Sequence, residues 1–297
     1  MVSESKDFPV PETRTFRGQG DIELVGDIWG PEDGPLVVML HGGGQTRGSW
    51  KSAGTLLARA GVRVVVMDAR GHGDSQWAPD GDYSGDSMAA DLIAILAQLG
   101  RPATLVGASM GGLTSLRATG LVGSDLINGL VLVDVVPRAE SEGVERIMTF
   151  LGGHRDGFAT LDEAADAVAE YLPHRERPKS TKGLERNLRK RADGRWYWHW
   201  DPAMLGPSGL VEGEVSATDL GVEVLEEAAR KLTIPTMLLR GRMSDVVSEE
   251  GVRHFLSIVP HCEFVELAGA AHTAAGDDND AFTDAVCEFV KGVTATS

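Results

Sequence analysis

Apolar residues along this chain follow two rhythms. Unbroken apolar runs at Leu36–Leu40, Val62–Met67, Ala103–Val106, Leu130–Val136 and Thr236–Leu239 are the pattern of strands buried on both faces. Between them, apolar positions recur at helical spacing over Trp50–Ala60, Asp86–Leu99 and Met110–Val122. Gly61 and Gly100-Arg101-Pro102 supply stop signals for the first two. Ile22–Trp29 alternates apolar with polar and predicts a strand in an antiparallel lead-in hairpin with Thr13–Arg17. Strand and helix taking turns in this way predict an α/β protein, a mostly parallel sheet with helices on both faces. Ligands of such sheets sit beyond the carboxyl ends of the strands.

The alternation breaks after Pro137. From Arg138 to about Lys231 the pattern offers helical segments (Gly143–Phe150, Leu161–Tyr171, Leu184–Arg191) and no buried strand. It then resumes with Thr236–Leu239, a helix over Val246–Val259, a strand over Cys262–Leu267 and a last helix over Ala281–Val290. The chain therefore divides into a core of residues 1–137 and 231–297, with residues 138–230 inserted between two core strands.

Composition narrows the function classes. At 42% hydrophobic residues the 297-residue chain can bury a large core. A net charge of −16 argues against nucleic acid or an anionic membrane as partner, since both need clustered Lys and Arg. A small-molecule substrate is expected instead; the oligomeric state is left open, a homodimer included. The two cysteines, Cys262 and Cys287, fit buried free thiols and no metal-ligand spacing, so neither metal nor cofactor is expected. The segment Met1–Asp7 carries no apolar signal region, and no run reaches the length of a membrane span, so a cytoplasmic setting is expected.

The most specific chemistry lies in Gly107-Ala108-Ser109-Met110-Gly111, a G-x-S-x-G sequence between a strand-like and a helix-like run. There a serine is exposed on a sharp turn, with the positive end of the following helix aimed at it. A serine hydroxyl needs a base, the base an orienting acid, and the developing oxyanion hydrogen-bond donors. His272, in a loop of small residues after the last strand, has the position for the base. Two carboxylates satisfy the order serine, acid, histidine. Asp245 follows strand Thr236–Leu239 and is also a possible N-cap for the helix near Val246; Asp134 ends the strand Leu130–Val136. The loop His41-Gly42-Gly43-Gly44 lets backbone approach a ligand closely; its Gly43 N–H, alone or with that of Gly44, joins the N–H of Met110 as oxyanion donor. A phosphate-cradling reading of these glycines fails because no lysine follows in register.

Taken together, Gly107–Gly111, the His41–Gly44 loop, Asp68-Ala-Arg-Gly-His-Gly-Asp-Ser75, Asp245 and His272 resemble the α/β-hydrolase superfamily over roughly residues 15–137 and 231–295. The resemblance implies an eight-stranded, mostly parallel sheet with a helical cap inserted after strand six. It implies a triad of Ser109, His272 and Asp245, the last preferred over Asp134, and no cofactor. Within the Asp68–Ser75 turn it implies structural roles for Arg70 and His72. The activity implied is hydrolysis of a carboxylic ester or lactone through an acyl-enzyme. Carbon–carbon hydrolysis, perhydrolysis and slow-turnover ligand reception use the same triad elsewhere in the superfamily. Ser109 argues against the branches whose nucleophile is an aspartate.

Trp196-Tyr197-Trp198-His199-Trp200 is the most aromatic stretch of the chain. Packing of a small cap is its first expectation; Trp198, Trp200, Met148 and Gly44 are the candidates for a pocket wall around an apolar or aromatic group. Trp50 is expected to anchor a helix start beneath the glycine loop.

Overall fold

The computed structural model describes residues 10–171, 177, 180–206, 221–267 and 280–295. An antiparallel pair, β1 (Glu12–Arg17) and β2 (Glu23–Trp29), leads into β3 (Leu36–Leu40) and β4 (Arg63–Met67), with helix α1 (Lys51–Arg59) between the last two. Helix α2 (Gly85–Leu99) crosses to β5 (Ala103–Ala108), and α3 (Met110–Val122) to β6 (Ile127–Val133). The insertion follows, with α4 (Ser141–Gly152), α5 (Leu161–Tyr171), and the short strands β7 (Leu188–Lys190) and β8 (Trp196–Trp198). Helix α6 (Val222–Arg230), β9 (Thr236–Gly241), α7 (Glu249–Ile258), β10 (Glu263–Leu267) and α8 (Asp280–Ala295) complete the chain.

Eight strands form one sheet in the order β1-β2-β4-β3-β5-β6-β9-β10, parallel except at β1 and β2. Its central strands are buried residue by residue, as their unbroken apolar runs require: all five residues of β3 and all six of β5 and β9 are buried. Helices cover both faces and produce two apolar layers, one built around Leu92, Leu105 and Phe255, the other around Trp50, Val106 and Phe282. Helix termini follow local chemistry. Ser84 Oγ accepts the Ser87 N–H at the start of α2, and Gly100, at φ +71°, closes it in a conformation that disfavours a side chain.

The insertion is not wholly helical. Leu184–Arg191, expected as a helix, is a 3₁₀ turn over Thr181–Arg186 followed by β7, which pairs antiparallel with β8. The tryptophans of β8 pack this unit from within: Trp198 lies edge-on to Phe150 and Phe158, at 5.5 and 5.4 Å between ring centroids. Three residues cannot show a period, so the pattern around β7 was read as part of a longer helix. Helix α6, placed in the insertion by the sequence, lies instead against core helix α3, where a Cβ on Gly120 would fall 2.5 Å from that of Ala228. Helix α7 starts at Glu249 rather than near Val246, and its N-cap is Ser248, whose Oγ accepts the Gly251 N–H. Asp245 therefore does not cap that helix. Trp50 is fully buried and packs against Phe282 of α8, 5.6 Å between rings.

Candidate active site

Ser109 sits at the carboxyl end of β5, where the chain reverses sharply into α3. Its backbone is at φ 47°, ψ −117°, a conformation costing a non-glycine residue on the order of 1–3 kcal/mol. Close packing forces the reversal. A Cβ on Gly107 would strike the carbonyl oxygen of Gly111, and one on Gly111 would lie 2.5 Å from that of Leu40. Hydrogen bonds pin the turn on both sides, from the Ser109 N–H to Val133 O (3.2 Å) and from the Gly111 N–H to His41 O (3.1 Å). Ser109 is thus held between the ends of β3 and β6 at the mouth of the sheet.

The glycine loop after β3 is fixed by two buried histidines. His41 Nδ1 lies 2.8 Å from the carbonyl of Gly42, and its Nε2 accepts the Ala69 N–H at 3.1 Å. His72 Nδ1 lies 3.1 Å from the carbonyl of Arg70, and its Nε2 accepts the Gly44 N–H at 3.3 Å. A carbonyl can only accept, so in each ring Nδ1 carries the proton and Nε2 receives one. Burial keeps both rings neutral: it lowers His41 below its ordinary value, and lowers His72 to about 3, with neighbouring His41 adding to the effect. Arg70, also in that turn, makes a buried two-pronged pair with Asp91 at 2.6 and 2.8 Å.

The N–H of Gly44 is therefore occupied, whereas among the described residues nothing accepts the N–H of Gly43 or Met110. A Cβ on Gly43 would meet nothing within 4 Å, so this residue borders open space. A Cβ on Gly44 would run into Leu151, which brings α4 of the insertion over the loop. Met148, on the same helix, is half-buried. Trp200 is buried and bridges the backbone of His72, and Trp198 belongs to the internal packing of the insertion.

The two carboxylates have different surroundings. Asp134, 1% exposed and at φ +50°, follows β6 directly after Val133, the residue that binds the Ser109 N–H. Its Oδ1 accepts the Gly241 N–H at 3.0 Å and its Oδ2 the hydroxyl of Ser244 at 2.7 Å. Asp245, whose side chain is 33% exposed, forms an ion pair with Arg146 of α4. His272 lies outside the described residues. The thiols of Cys262 and Cys287 are free and half-buried, and burial raises both, Cys262 to about 12. Among the described residues no group of three or more His, Cys, Asp or Glu side chains could hold a metal, and no helix is long and apolar enough to cross a membrane.

Comparison with known proteins identifies the family and the fold. A family model described as the alpha/beta hydrolase fold matches residues 35–278. Esterase Rv0045c of Mycobacterium tuberculosis is 29% identical over 97% of this chain and 91% of its own length. The sn-1-specific diacylglycerol lipase ABHD11 of Mus musculus is 29% identical over 86% of this chain and 81% of its own. Among solved structures, an alpha/beta hydrolase from Novosphingobium aromaticivorans superposes with a TM-score of 0.81 at 28% identity, covering 95% of this chain and 98% of that one.

Proposed function

The chain belongs to the alpha/beta hydrolase family, and from that premise we propose that it hydrolyses carboxylic esters through an acyl-enzyme on Ser109. The observation that carries this reading is the strained serine, with the N–H groups of Met110 and Gly43 unoccupied among the described residues beside it. In the proposed sequence His272 takes the Ser109 proton as Oγ attacks the ester carbonyl. The two N–H groups stabilise the tetrahedral oxyanion, and the protonated imidazole returns its proton to the leaving alcohol. Water, deprotonated by the same imidazole, then releases the acid. The relatives named esterase and diacylglycerol lipase support an ester as substrate. Leu151 over the glycine loop supports a small to medium apolar acyl or alcohol group, a lactone included.

For the acid, the geometry favours Asp134 over Asp245. The acid of a triad must be buried, rigid and able to accept the imidazole N–H. The bonds from Gly241 and Ser244 fix the plane of the buried Asp134 carboxylate. Asp245 is partly in solvent and drawn toward Arg146.

The test is hydrolysis of p-nitrophenyl esters of increasing acyl length by wild type and Ser109→Ala. Turnover by the wild type, reduced at least about 10³-fold in Ser109→Ala, is expected. Equal turnover by both proteins would refute Ser109 as nucleophile.

A further inference from the structure

The buried imidazole of His72 has no place in the proton transfers of the reaction, yet it lies one residue away from the proposed oxyanion donor. Gly44 adopts φ +74°, a left-handed conformation, and its N–H points at His72 Nε2. That ring nitrogen is an acceptor because the other faces the carbonyl of Arg70. The turn carrying His72 is itself anchored. The Gly73 N–H binds His199 O, and the Asp201 N–H binds Gly71 O, each at 2.8 Å. The Tyr83 hydroxyl donates to the Asp201 carboxylate. His72 is therefore a rigid post, fully buried, and its burial keeps it neutral and accepting well below the ordinary titration of an imidazole. The peptide plane that carries the Gly43 N–H is held through its Gly42 carbonyl, which faces His41 Nδ1 at 2.8 Å and accepts the Gln45 N–H at 3.2 Å. The plane on its other side, Gly43–Gly44, is held by the bond from the Gly44 N–H to His72, so the loop is fixed on both sides of Gly43.

Resting on the ester-hydrolase reading, we propose that His72 is a positioning residue whose Nε2, by holding the Gly44 N–H, fixes the Gly43–Gly44 peptide and so keeps the loop placed to present the Gly43 N–H to the oxyanion of the tetrahedral intermediate. Loss of this acceptor lowers kcat without weakening binding of the ground-state ester, because the Gly43 bond strengthens only as charge develops.

Two variants separate this role from packing. His72→Asn keeps an amide N–H in the place of Nδ1 but has nothing at the place of Nε2; His72→Gln puts its amide oxygen near Nε2. The readouts are kcat and KM for a p-nitrophenyl ester, the inhibition constant of an alkylboronic acid that forms a tetrahedral adduct with Ser109, and thermal unfolding. A fall in kcat of about 30- to 300-fold is expected for His72→Asn, bounded by the effect of losing one oxyanion donor, with KM within about threefold. Boronate binding weakens in proportion, and His72→Gln recovers most of the loss. His72→Asn with wild-type kcat, or His72→Gln as impaired as His72→Asn, overturns the proposal. Should His72→Asn fail to fold, His72→Met fills the site without a strong acceptor and is compared with His72→Gln in its place. Ser109→Ala, measured alongside, separates the two levels: undiminished turnover there removes the ester-hydrolase reading and the His72 role with it. Turnover lost in Ser109→Ala but untouched in His72→Asn removes the His72 role alone.

Discussion

At the scale of single residues, environment separates groups of equal chemistry. Asp134 and Asp245 both stand between serine and histidine in chain order, and nothing in the sequence ranks them except where such acids usually fall. Burial and hydrogen bonding distinguish their surroundings, and the proposed triad takes Asp134 on that ground. Replacing the acid of a serine triad by its amide costs about 10⁴ in kcat through the wrong imidazole tautomer. Asp134→Asn is therefore expected to lose about 10³- to 10⁴-fold in kcat, and Asp245→Asn less than about tenfold. Steady-state kinetics on one p-nitrophenyl ester decides the matter; the reverse ranking would return the role to Asp245. Ser109 and the glycine loop were legible because their chemistry demands fixed neighbours in sequence. The bond between Gly44 and His72 was not, since the two are 28 positions apart and a turn histidine has no period to betray it.

At the scale of elements, legibility followed length and burial. Strand β3 and helices α3 and α5 occupy the residues their patterns predict, because a run buried on both faces, or three or more turns of periodic residues, leaves little choice. The β7–β8 hairpin was missed because three-residue strands held by tertiary packing carry no pattern of their own. The crossing of β5 and α3 depends on glycine for space, and this has a measurable consequence. Gly107→Ala would push a methyl group into the backbone carbonyl of Gly111, which cannot turn aside. A loss of about 2 kcal/mol or more of unfolding free energy is expected, read as a drop in urea midpoint. A midpoint equal to wild type would mean that the elbow is looser than described.

The whole molecule should lose stability toward acid. His41 and His72 are neutral and buried in the folded state, His72 titrating at about 3, whereas both would titrate near 6.5 in the unfolded chain. Below pH 6.5 the unfolded chain therefore binds protons that the folded one refuses. Folding is unaffected by these groups above pH 6.5 and weakens as pH falls below it, through His72 down to about 3 with a slope approaching about 1.4 kcal/mol per pH unit, and through His41 in the same direction. Glu226, held at about 2 by hydrogen bonds from His254, Arg138 and Arg230 despite the opposing effect of burial, adds to the loss below its ordinary 4.5. Urea midpoints at pH 7, 6 and 5 should fall in that order, and His72→Gln should reduce the fall. Constant midpoints would contradict the burial of these rings.

The strained backbone at Ser109 sets durability against activity. A glycine there would relax the turn, and Ser109→Gly should unfold at a temperature equal to or a few degrees above wild type, even after the extra freedom that glycine gives the unfolded chain. It would hydrolyse nothing. Stability alone would favour glycine at this position, so the strain is carried by the fold only for the sake of the hydroxyl that the proposed nucleophile requires.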